Sequence, residues 1–153
     1  MTKSWTLGRT KQGVLLILFL IAACTPLIGP YSPTAYQNAT SLKPQALALM
    51  TKARESFSAH QTEIETLNIE LQQAHEFVKG VPSNSISAGQ WQILIDSDGD
   101  LLGKFFRRWQ ERTSLSETYI LEFKGIVADA FDEIICLEAN KKDASQCQPR
   151  EGE

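Results

Sequence analysis

The sequence predicts an all-α fold, a bundle of four or five helices, on three observations. From Tyr36 to Val78, mostly apolar residues recur at alternating spacings of three and four. Two later stretches, around Leu102–Trp109 and Tyr119–Leu137, place aromatic and branched side chains at helical spacing. No stretch shows the sustained two-residue alternation of a half-buried strand.

The elements follow in order. Ser32-Pro33 reads as a helix start, with Ser as N-cap and Pro at the first helical position. The heptad run is Tyr36, Ala39, Lys43, Ala46, Met50, Ala53, Phe57, His60, Ile64, Leu67, Leu71, Ala74 and Val78. Such spacing argues for one long helix or two collinear ones, a broken pair, packed against partner helices. Pro44 has no N–H to give and costs about 3 kcal/mol or more inside a helix, so a break or kink is expected near Ser41. A second break is expected at Ser58-Ala59-His60. Gly80 and Pro82 end the run.

Val81–Ser87 reads as a loop, Ala88–Ile95 as a short helix and Asp96–Asp100 as a turn, with Asp100 capping the helix that follows. That helix sends Leu102, Phe105, Phe106 and Trp109 inward and spaces Lys104, Arg108 and Arg112 by four on its outer face. Ser114-Leu115-Ser116-Glu117 fits a capping box with Ser114 as N-cap. The last helix runs to about Ala139. Its apolar stripe is Tyr119, Ile120, Phe123, Ile126, Val127, Ala130, Phe131, Ile134 and Leu137, and Glu122, Lys124, Asp129, Asp132 and Glu133 form a solvated face. The helical domain is therefore 34–139, followed by a polar tail, 140–153.

The N-terminus is of a different kind. Lys3, Arg9 and Lys11 precede the apolar run Val14–Ala23, which is ten residues long and ends at Cys24. Ten helical residues cover roughly 15 Å, about half of a bilayer's hydrocarbon core, so a spanning helix is the wrong reading and an export signal the right one. Ile21-Ala22-Ala23-Cys24 resembles the lipobox of bacterial lipoproteins, with Ile21 where Leu is usual. The resemblance implies a signal peptide over 1–23, cleavage between Ala23 and Cys24, and a diacylglyceryl group on the Cys24 sulfur. Two or more acyl chains give stable anchoring where one does not. Thr25, rather than Asp, after the cysteine implies by the same resemblance the periplasmic face of an outer membrane. Residues 24–33 then form a short, Pro- and Gly-rich tether. The segment Tyr31-Ser32-Pro33 with Tyr36, Ala39, Leu42 and Leu47 is similar to the start of some small uncharacterised proteobacterial lipoproteins. That likeness implies a class and no activity.

Charge and chemistry narrow the function. The chain has 15 basic and 18 acidic side chains. Without Lys3, Arg9 and Lys11 the remainder is 12 against 18, a net charge near −6. Such a chain is a poor partner for nucleic acid. Apart from Cys24, two cysteines remain, Cys136 and Cys147, open to one disulfide or to two thiols. Asp96-Ser97-Asp98-Gly99-Asp100 has the look of a calcium loop, but either register puts Phe105 or Arg107 where a bidentate Glu belongs, so a plain Asp-Gly turn is expected and no metal site. His60 reads as a packing residue and His75 as a surface one, and neither sits in a Glu-x-x-His pattern. Gly103–Trp109 mixes basic and aromatic residues and reads as a core helix with a basic outer face, or as a strip lying on lipid headgroups.

No nucleophile, base and orienting group assemble, so no enzyme, no catalytic residue and no cofactor are expected. The expectation is a membrane-anchored helical lipoprotein serving as a structural or interaction module at the envelope. Its partners would be the membrane through lipid on Cys24, an envelope protein, and a second copy through the heptad helix. The alternative is a lipid or small apolar ligand carrier, its cavity lined by Trp91, Phe105, Trp109 and Phe123.

Overall fold

A computed structural model describes residues 29–139, 141 and 147. The expected signal peptide over 1–23, with Ala23 at its end, and the expected lipidation site Cys24 lie outside them. The described residues hold five α-helices and no strand: α1 (Pro33–Thr51), α2 (Gln61–Gly80), α3 (Ser85–Ile95), α4 (Leu102–Arg112) and α5 (Glu117–Ala139). They form an all-α bundle with four columns.

α1 begins as its sequence dictates. Ser32 is the N-cap and its Oγ accepts from the Ala35 N–H at 3.3 Å, with Pro33 at the first position. The break expected near Ser41 is absent: α1 runs unbroken through Pro44 to Thr51. Pro44 and Ser41 sit on the exposed face, where water is at hand for a freed carbonyl, while Ala39, Leu42, Ala46 and Leu49 are buried on the other side. Burial of that stripe outweighs the proline penalty.

The second break is present and sharper than expected. Two 3-10 turns, Lys52–Arg54 and Phe57–Ala59, separate α1 from α2, and Glu55 and Ser56 are extended. The helices are not collinear. Lys52 pairs with Glu63 at 2.6 Å, and the groove they share sets Leu49 beside Leu67 and Leu42 beside Ala74, so α2 returns antiparallel along α1. Of the heptad residues on the two helices, Ala39, Ala46, Met50, Ile64, Leu67, Leu71, Ala74 and Val78 are buried in the core, while Tyr36 and Lys43 are only partly buried.

α3 starts three residues earlier than expected, at Ser85. Together α3 and α4, interrupted by the 96–101 turn, make the third column: Trp91 meets Phe131 midway along α5, and Trp109 reaches the turns between α1 and α2. α5 is the fourth column, antiparallel to α1. The pairs Lys43–Asp132 (2.6 Å), Thr51–Lys124 (2.7 Å) and Arg54–Glu117 (3.0 Å) fix that register. The cap of α5 is Ser116, not Ser114: its Oγ accepts from the Tyr119 N–H at 3.4 Å, and Glu117 is the first helical residue. Ser114 is displaced because the Leu115 N–H is given to the Ala53 carbonyl at 2.7 Å.

Three side chains are placed otherwise than the sequence reads them. His75 is buried, at 6% exposure, rather than on the surface. Ile126 is 49% exposed, on the margin of the α5 stripe rather than within it. Asp100 does not cap α4. Leu101 occupies that position without a side-chain hydrogen bond, and the Asp100 carboxylate pairs with Lys104.

Candidate functional site

Two ends of the bundle concentrate its polar chemistry. The near pole gathers the first described residues, the end of α2, the start of α3 and the end of α5. Gly29 is buried there, and a Cβ on it would come within 2.7 Å of the Pro82 carbonyl oxygen and 3.3 Å of Asn84 Cβ. Only glycine allows that approach. The far pole gathers the turns between α1 and α2, the end of α4 and the start of α5.

At the far pole the segments are stitched by backbone. Phe57 N–H donates to the Thr113 carbonyl at 2.8 Å, Leu115 N–H to that of Ala53, and Trp109 Nε1–H to that of Glu55 at 3.0 Å. His60 lies over this junction, its ring centroid 5.8 Å from that of Trp109. Its Nε2 is 2.8 Å from Glu55 Oε2 and its Nδ1 3.3 Å from Glu63 Oε1, whose second oxygen takes Lys52 at 2.6 Å. The Glu55 hydrogen bond raises the His60 pKa above the ordinary value and outweighs desolvation, with Glu63 acting in the same direction. Lys52 and His60 lower that of Glu63. His60 is thus a clamp between two carboxylates. Both nitrogens are engaged, and the nearby hydroxyls of Ser56 and Ser58 bond each other at 2.8 Å, so no serine is activated by it.

The near pole holds a second cluster with no sequence signature. Glu138 is fully buried in the last turn of α5. The Lys141 ammonium sits 3.0 Å from its Oε1 and donates to Asn84 Oδ1 at 2.6 Å and Ser87 Oγ at 3.1 Å. Asn84 Nδ2 reaches the Val78 carbonyl at 3.5 Å. The near pole is thus built from the ends of three helices around one ammonium. Buried His75 belongs to the same interface, and burial, with Lys79 adding to it, lowers its pKa against the opposing charge of Glu76 and a backbone contact with Ala88.

The cysteines the sequence left open, Cys136 and Cys147, are joined by a disulfide with Cα atoms 5.5 Å apart. The acids of the Asp-Gly turn diverge: Asp96 Oδ1 accepts from the Asp98 N–H at 2.9 Å, Asp98 pairs with Arg107, and Asp100 with Lys104. Among the described residues no group of three or more His, Cys, Asp or Glu is placed to hold a metal. Phe105, Phe106 and Trp109 are inside the bundle, and Lys104, Arg107 and Arg108 face outward, so the core-helix reading of Gly103–Trp109 describes what is found. Trp91, Phe105 and Trp109 are fully buried and Phe123 partly so. They make ring contacts with Phe131, Tyr119, Phe57 and each other at 4.9–6.0 Å.

The outer seam of α1 and α2 carries a shallow groove with two widenings of about 330 and 420 Å³, edged by Gln45, Glu70 and the self-neutralised pair Lys52–Glu63. No described helix is long and apolar enough to cross a membrane. No protein-family model, no curated protein and no solved structure matches the chain.

Proposed function

We propose that this chain is a lipid-anchored helical module of the bacterial cell envelope, a structural or interaction protein without catalytic activity, held to the periplasmic face of the outer membrane by acyl chains on Cys24. The observation that carries the reading is the N-terminal order of basic residues, ten apolar residues and Ala22-Ala23-Cys24.

The bundle supports it in one respect. Gly29 lies five chain steps after Cys24, a reach of at most about 18 Å when fully extended. Gly29 is packed into the near pole. An anchored Cys24 would therefore hold that pole close to the lipid surface and present the far pole away from it. The acidic mature chain agrees with a protein partner rather than nucleic acid.

The test is intact-mass analysis of membrane and soluble fractions for the wild type and Cys24→Ser. The expected result is a lipid adduct on a chain starting at Cys24, sensitive to inhibition of the lipoprotein signal peptidase, with both lost in the variant. An unmodified native chain still carrying its first 23 residues would overturn the reading. Cross-linking from the far pole in intact envelopes then asks for the protein partner.

A further inference from the structure

The buried ion pair of the near pole lies inside a covalent loop. Glu138 and Lys141 both fall between Cys136 and Cys147, which the disulfide joins. Among the described residues the counter-charge of the Glu138 carboxylate is the Lys141 ammonium, 3.0 Å from its Oε1, and no other group there gives it a hydrogen bond. A buried carboxylate that loses its counter-charge is strongly destabilising. Lys141 is itself the donor that occupies Asn84 Oδ1 and Ser87 Oγ, at the corner between α2 and α3. That corner is already under backbone tension, because Ser83 holds a φ of 59°. It is also the surface on which Gly29 packs.

We propose that the Cys136–Cys147 disulfide is a reducible latch on the near pole. Closed, it keeps Lys141 seated between Glu138, Asn84 and Ser87. Opened, it releases Lys141 and loosens the corner that holds the N-terminal segment. Both cysteine residues are partly exposed rather than buried in the core. The opening reaction uses a dithiol reductant. One of its thiolates attacks a cysteine sulfur to give a mixed disulfide, and its second thiol displaces the remaining cysteine. Two electrons and two protons pass to Cys136 and Cys147, and the reductant leaves as its own disulfide. The proposal stands on the near-pole geometry and is independent of the envelope assignment.

The test is amide hydrogen exchange on the full chain, oxidised and after dithiothreitol, read by mass spectrometry. In the wild type, reduction should speed exchange over residues 81–88 about tenfold or more and leave Ala53, Phe57 and Leu115 at the far pole nearly unchanged. Lys141→Met should exchange fast over 81–88 with its disulfide intact, and reduction should add less than about twofold. Glu138→Gln, whose neutral amide needs no counter-charge, should show a smaller response to reduction than the wild type. Circular dichroism checks that each variant keeps its helicity, and Lys141→Gln serves the same comparison should the methionine variant lose it. Unchanged exchange on reducing the wild type overturns the latch. So does a Lys141 variant that responds to reduction as fully as the wild type.

Discussion

The indole N–H of Trp109 donates to the backbone carbonyl of Glu55 at 3.0 Å, tying the last turn of α4 to the extended stretch between α1 and α2. The Trp109 ring is fully buried, with the edge of Phe57 against it at 5.7 Å and His60 tilted over it at 5.8 Å. One side chain thus joins three segments that no helix connects. Trp109→Phe keeps an aromatic ring but loses the donor and part of the volume. It should destabilise the chain by about 2–4 kcal/mol, read from denaturant midpoints at constant m-value.

The two histidines should give stability opposite dependences on pH. His60 is held protonated by Glu55 and Glu63, so its pKa is raised on folding. Its contribution is fully present below the unfolded value of about 6.5 and is lost as pH rises through the folded value. His75 is buried and its pKa is lowered on folding. The unfolded chain then binds the His75 proton more readily, so stability falls as pH drops below about 6.5 towards the folded value. Denaturant midpoints from pH 5 to 8 should show the difference. His60→Gln should leave a profile that weakens on acidification through this window, and His75→Gln one that strengthens. The same slope in both variants would remove the assignment.

The sequence made some of this legible and hid the rest for identifiable reasons. Ser32-Pro33 announced α1 because a cap is a local chemical fact. Phe105, Phe106 and Trp109 announced their burial because they recur at helical spacing. The reversal between α1 and α2 was masked. Ala53, Phe57 and His60 continue the three-and-four spacing across Thr51–His60, yet the backbone there is two 3-10 turns and an extended stretch. The spacing records which residues reach the core, not whether one helix carries them. Pro44 does not break α1, since propensity is local and the packing of α1 on α2 and α5 is not. Ser114 and Ser116 both fit a cap rule, and the choice was made by a hydrogen bond from Leu115 to Ala53, 62 positions away in sequence. The cluster of Asn84, Ser87, Glu138 and Lys141 was invisible because its members lie on three separate elements and each looks like surface composition. A glutamate near the end of an apolar stripe was the one available hint.

Gly103 carries a constraint that no motif marks. It sits in the first turn of α4, and a Cβ there would lie 2.4 Å from the carbonyl oxygens of both Ile95 and Asp96. Those atoms are backbone and cannot rotate away. Glycine is what lets α4 start directly against the end of α3 and keep the third column compact. Gly103→Ala should cost about 2–3 kcal/mol through forced displacement of the turn, although alanine is the better helix former by about 1 kcal/mol. Gly125, whose added Cβ meets nothing within 4 Å, is the control. Gly125→Ala should stabilise by up to about 1 kcal/mol on the same denaturant scale.

Tyr119 offers a stabilising change of a different origin. Its ring stacks on Phe123 at 4.9 Å and on Phe105 at 6.0 Å, and the Arg108 guanidinium lies 4.7 Å above it. Every favourable contact belongs to the ring. The hydroxyl is buried with no hydrogen-bond partner among the described residues, and that burial raises the phenol pKa above its ordinary value. A buried hydroxyl without a partner carries an uncompensated desolvation cost of about 1–3 kcal/mol. Tyr119→Phe removes the hydroxyl and leaves the stack and the cation contact in place. The variant should therefore gain about 1 kcal/mol in chemical denaturation, whereas Tyr119→Leu, which keeps apolar bulk but loses both aromatic contacts, should lose stability. A phenylalanine variant weaker than the wild type would mean that the hydroxyl is bonded, most simply to an ordered water between α4 and α5.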